Sequence, residues 1–154
     1  MWWLKGLTLS FVSCIAYGML FNVPIRTLWA GGLVGMLCWL VFKLMPMIGV
    51  QAAFATFIAA MFVSLFSQML SIRLRVPSTN FSIAGIIPLV PGSTAYKSMF
   101  AFVNGDNIGG ITLAVKTSME AGAIASGLIL GLSIFTVWKG FASRYATSKR
   151  PKTN

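Results

Sequence analysis

Ile87-Pro88-Leu89-Val90-Pro91-Gly92-Ser93-Thr94-Ala95-Tyr96 interrupts a stretch otherwise apolar enough to cross a membrane. Pro88, Pro91 and Gly92 fall within five positions, and a regular helix does not pass through them. Each proline lacks an N–H donor and collides with the preceding turn. In hydrocarbon the freed backbone groups find no water, so such a break persists only when packed in protein or lining a wet cavity. Discontinuous membrane helices are also where many solute-handling membrane proteins form binding sites.

Outward from this segment the chain keeps a membrane composition. Its 154 residues are 57% hydrophobic and 9% charged, with mean hydropathy +0.85. A soluble domain carries about 25% charged residues. The length accommodates about five spans of roughly 20 residues with short loops. The net charge is +10, with Asp106 and Glu120 the only acids. The bases are scattered between apolar runs and form no basic face, which excludes nucleic acid as a partner and points to topology and lipid headgroups. There is no histidine, and Cys14 and Cys38 lie inside apolar runs. They read as buried thiols, with no metal site, disulfide framework or cofactor. No catalytic triad or nucleotide loop occurs, so enzyme chemistry is not expected.

The charges divide the chain. Lys5 and Arg26 bracket a first span, Gly6 to Ile25. Arg26 and Lys43 bracket a short second span, Thr27 to Phe42, which can extend to Met45. A third helix fits from about Met47 to Ile72, and Arg75 and Lys97 bracket the broken fourth segment. Asn104-Gly105-Asp106-Asn107 and Gly109-Gly110 signal a turn in water. Lys116 and Lys139 bracket the last span, Thr117 to Trp138. The expectation is an all-α polytopic bundle, residues 1–138, broken at Pro88 and Pro91-Gly92. A basic tail, 139–154, follows.

Five tail charges (Lys139, Arg144, Lys149, Arg150, Lys152) place the C-terminus in the cytoplasm by the positive-inside rule. With five crossings the inner side holds eight bases against four outside. If the fourth segment is re-entrant, four crossings give seven against five. Five are expected, with the N-terminus outside.

Several residues could carry function. Ser93 and Thr94 are helix-capping types directly after the break. A half-helix starting there would aim free N–H groups and the positive end of its dipole at the gap, a pocket for a carboxylate. Pro88, Pro91, Gly92, Ser93, Thr94 and Tyr96 are therefore candidate substrate-binding residues, and Asn22, near a membrane boundary, either caps the second helix or joins them. Glu120 is the one acid inside an expected span. It either couples a proton or holds an ammonium, or, four residues from Lys116, is half of a helical ion pair. Gln51, Ser67 and Gln68 either line a cavity or bond neighbouring helices. Gly31, Gly35, Gly127 and Gly131 are small-residue positions for close helix approach.

Phe21-Asn22-Val23-Pro24-Ile25-Arg26 together with Ile87–Tyr96, at this spacing and followed by a glycine-rich last span and basic tail, resembles the threonine/serine exporter family. The resemblance runs from about Phe21 to Trp138. It implies a subunit of a secondary exporter in the bacterial inner membrane. Some members of the family are one long chain, and others are split into a larger and a smaller protein; this chain resembles the smaller, C-terminal type. The implied substrate is a small carboxylate-bearing metabolite, threonine or serine first, a dicarboxylate such as succinate second. The implied partner is a larger homologous membrane subunit, with self-association as the alternative. A membrane scaffold without transport and a homo-oligomeric channel are the competing readings.

Overall fold

The computed structural model describes residues 2–148, with side-chain surroundings within 3–140. Lys149, Arg150 and Lys152 of the expected tail lie outside the described residues, as do the surroundings of Arg144. The chain forms α1 (Trp2–Leu20), α2 (Ile25–Met47), α3 (Ala52–Leu74), α4 (Thr79–Ile86), a 3₁₀ turn (Ile87–Leu89), α5 (Gly92–Val103) and α6 (Asn107–Ser148). Among the described residues there is no strand. Four helices, α1, α2, α3 and α6, are long and apolar enough to cross a bilayer, and Thr79–Leu89 is a shorter apolar piece.

Local chemistry sets the ends of the elements. α1 stops where Asn22 turns left-handed (φ 54) and Pro24 excludes its predecessor from helical geometry. Pro24 then opens α2, and its carbonyl accepts the Thr27 hydroxyl at 2.8 Å. Gly49 (φ 85) closes α2, and Arg75 (φ 55) closes α3 just before Val76-Pro77. Gly105 (φ 80) turns the chain between α5 and α6. Asp106 Oδ1 accepts the Gly109 N–H at 2.9 Å, satisfying a free donor in the first turn of α6.

Four boundaries differ from the sequence reading. α2 runs to Met47 through Pro46, because a proline at the next-to-last position disturbs only the last turn. Accordingly α3 begins at Ala52, not near Met47. α6 begins at Asn107, ten residues before the expected Thr117, and absorbs Gly109-Gly110 into the helix. It also continues past Trp138 to Ser148, since no proline interrupts residues 139–148.

Packing fixes the order of the helices. Gly6 lies against Trp39, Gly18 against Leu28, and Gly35 against Cys14, so α1 and α2 are antiparallel. A four-residue link reverses the chain into α3. A Cβ on Gly127 would stand 2.5 Å from the Phe57 carbonyl oxygen, and one on Gly131 would stand 2.7 Å from Ser64 Cβ. The Ser64 hydroxyl donates to the Leu128 carbonyl at 2.9 Å. Rising numbers on α3 therefore meet rising numbers on α6, and the two helices are parallel neighbours. The start of α1 and the end of α6 accordingly lie at opposite ends of the bundle. Arg26, Arg73 and Arg75 share the end where α6 finishes, while Lys5, Lys43, Lys97 and Lys116 lie toward the other. This is the distribution that five crossings require. Gly31, Gly35, Gly127 and Gly131 are all occupied inside the chain, against Ala84, Cys14 and α3. They offer no open face to another molecule.

Candidate functional site

The fourth segment lies inside a cup made by α1, α2 and α3. Phe81 is fully buried. Gly31 approaches Ala84, and a Cβ on Gly85 would stand 2.7 Å from Val34 and 2.9 Å from Val63. Leu89, at the end of the 3₁₀ turn, joins the core of Val34, Cys38, Ala59, Ala60, Val63 and Ile124. A helix of eight residues plus one 3₁₀ turn spans roughly 17 Å, short of a hydrocarbon core of about 30 Å.

At the break the backbone satisfies part of its own demand. Val90, forced to an extended conformation before Pro91 (φ −59, ψ 124), donates to the Ile87 carbonyl at 3.3 Å. Gly92 N–H reaches the Val90 carbonyl at 2.8 Å, and Ala95 N–H the Pro91 carbonyl at 3.0 Å. The amides of Ser93 and Thr94 have no backbone acceptor among the described residues. The helix cap is Pro91, with no side-chain cap bond. The expected capping role of Ser93 and Thr94 is thereby corrected: proline takes that position and leaves both residues in the first turn. Their own amides, not their side chains, are the groups at the helix end. Gly92 has nothing within 4 Å of where a Cβ would stand. Gly92, Ser93 and Tyr96 are exposed, Pro88, Pro91 and Thr94 half-buried.

The break sits near the end of the bundle. The Ser98 hydroxyl donates to the Gly110 carbonyl at 2.8 Å, and Gly110 lies under Phe102, so α5 returns antiparallel along α6. That register sets Gly92 level with Lys116 to Glu120. Glu120 is half-buried and Lys116 exposed, with no ion pair between them among the described residues. The α3–α6 register places Glu120 close to the first turn of α3, where Gln51 precedes the helix and makes no side-chain cap bond.

The other end of the segment meets the Phe21–Arg26 turn. A groove of about 90 Å³ is lined by Tyr17, Phe21, Val23, Asn80 and their neighbours. Asn22 forms the adjacent turn and does not cap α2, whose cap is Pro24. The candidate binding residues are thus divided: Asn22 at one end of the fourth segment, Ser93, Thr94 and Tyr96 at the other. Ser67 is fully buried with an unpartnered hydroxyl, Gln68 is half-buried, and Gln51 is exposed. Sequence reasoning passed over Asn80 and Phe81. Their only signal was a polar residue and an aromatic at the entrance of a short apolar helix.

A short nested helix, a proline break and a resumed helix define a class: multi-pass membrane proteins built around a discontinuous crossing. Comparison with known proteins makes the assignment specific. The family described as "Threonine/Serine exporter, ThrE" matches residues 6–134. A Mycobacterium tuberculosis protein named "Probable threonine/serine exporter" is 34% identical over 109 residues, 70% of this chain and 21% of that protein. The chain belongs to the threonine/serine exporter family, and it spans about a fifth of the length of this relative. No solved structure matches it.

Proposed function

We propose that this chain is the small membrane subunit of a secondary exporter for a small carboxylate-bearing metabolite, threonine or serine first and a dicarboxylate second. It works with a larger homologous partner. The observation that carries the reading is the pair of unpartnered amides, Ser93 and Thr94, at the open start of α5. A carboxylate there gains two N–H donors, the positive end of a 12-residue helix and the hydroxyls of the same residues. Glu120, in register with the break, receives an ammonium or a coupling proton. The end bearing Arg26, Arg73 and Arg75 faces the cytoplasm of a bacterial inner membrane by the positive-inside rule, and the C-terminus is there too.

Changing Ser93 and Thr94 together to alanine removes hydroxyl contacts worth about 1.5–3 kcal/mol each to a charged ligand. Export from loaded cells or vesicles, at substrate below saturation, should fall about tenfold or more, since 1.4 kcal/mol is a factor of ten. Abundance in the membrane should be unchanged. Normal export by the double variant would remove the site and favour a scaffold that does not itself touch substrate.

A further inference from the structure

α6 is much longer than the helix it packs on. Asn107 lies 20 positions before Gly127, whereas Ala52 lies five positions before Phe57, which Gly127 touches. The start of α6 therefore overhangs the start of α3 by about 15 residues, roughly 20 Å. α5 packs along this overhang with Ser98 and Ala101 toward α6, and apart from passing contacts it has no other neighbour. Its outer face carries Tyr96, Met99, Phe100 and Val103, spaced i, i+3, i+4, i+7. Tyr96 and Met99 are each 69% exposed, and Val103 is 85% exposed. Across the turn Ile108 on α6 is 82% exposed.

Lipid does not account for this face. The 23 residues of α3 already match the length of a transmembrane helix, about 20 residues, and the hairpin extends beyond the first turn of α3. Val103 and Ile108 flank the polar turn at its far tip, the point most distant from hydrocarbon. An apolar stripe in water is a mark of an interaction surface, and a lone two-helix hairpin is an unfinished bundle. The occupant follows from the relative: the region matching this chain is 21% of a single longer polypeptide, in which about four fifths of the protein is attached to it.

We infer that the outer face of the α5–α6 hairpin docks onto the larger subunit, a protein corresponding to the part of the longer relative outside the region that matches this chain. This rests on the two-component reading above. Docking there covers Tyr96, Phe100 and Val103 and closes the open side of Gly92 in the same step. The hairpin is thus both the handle that holds the partner and one wall of the substrate site.

The test places a photo-crosslinking amino acid at Ile108 in the full chain, expressed in its own cells, and irradiates intact membranes. The same probe at Val137, on the stretch of α6 alongside α3, serves as the lipid-facing control. The expected result is one protein adduct at Ile108, absent at Val137, whose peptides align with the unmatched part of the longer relative. Val103→Asp should reduce that adduct about tenfold, because an unpaired charge is then buried in the contact, with membrane abundance unchanged. An adduct to a second copy of this chain, no protein adduct, or full adduct yield with Val103→Asp each overturns the proposal. Crosslinking needs no transport. The expected adduct in cells whose export of threonine, serine and dicarboxylates does not depend on this chain would therefore reject the exporter reading and leave the docking surface standing.

Discussion

At the residue scale the contacts that matter most are those with no room in them. Gly127 faces α3 backbone, with the Phe57 carbonyl 2.5 Å and the Met61 nitrogen 3.2 Å from a Cβ position. Backbone does not rotate aside as a side chain does. Gly127→Leu should therefore part α3 from α6 and destabilise the subunit itself by at least about 1–3 kcal/mol. Thermal unfolding in mild detergent, followed by loss of monodisperse protein, should show a clear drop. Ser64→Ala removes the hydroxyl bonded to Leu128 and leaves no buried donor behind; its cost should be smaller, about 0.6 kcal/mol as for typical interhelical bonds in membranes. A smaller effect for Gly127→Leu than for Ser64→Ala would mean that the two helices are not held at this separation.

At the scale of elements much was legible and some was not. Charges marked the spans only coarsely: Arg26 and Arg75 fall at helix ends, whereas Lys43 and Lys116 lie inside α2 and α6. The turn at Asn104–Asn107 was legible because Gly105 takes the positive φ that a tight reversal requires. The start of α6 was not. Gly109-Gly110 reads as a breaker in sequence, yet Gly110 is helical because Phe102 of α5 occupies the space a side chain would need. Only the tertiary approach of two helices decides that. The same limit applies to the site. Pro88, Pro91 and Gly92 announced a break, but nothing local says that Pro91 takes the cap, or that Asn22 lies at the far end of the segment. Gly110→Val should pry α5 from α6 without touching the spans. Hydrogen exchange of the α5 amides should rise sharply while α3 stays protected, and unchanged α5 exchange would contradict the packing described here.

At the scale of the whole molecule, the fourth crossing differs in kind from the rest. α1, α2, α3 and α6 can each partition into lipid on hydrophobicity alone, whereas Thr79–Leu89 is held by the fit of Phe81, Ala84 and Gly85 into the cup of the other helices. The direction of everything after it therefore depends on packing. Topology has a parity: lose one crossing, and all later segments face the wrong way or fail to insert. Gly85→Leu blocks the cup at Val34 and Val63, and a fraction of chains should then carry the C-terminus on the opposite side. Paired reporters fused to the C-terminus, one active only in the cytoplasm and one only outside, measure that fraction. The wild-type chain should give a single orientation, and a single unchanged orientation in the variant would show that the segment inserts without its cup. In this protein, shape complementarity at one glycine decides which compartment the last helix ends in.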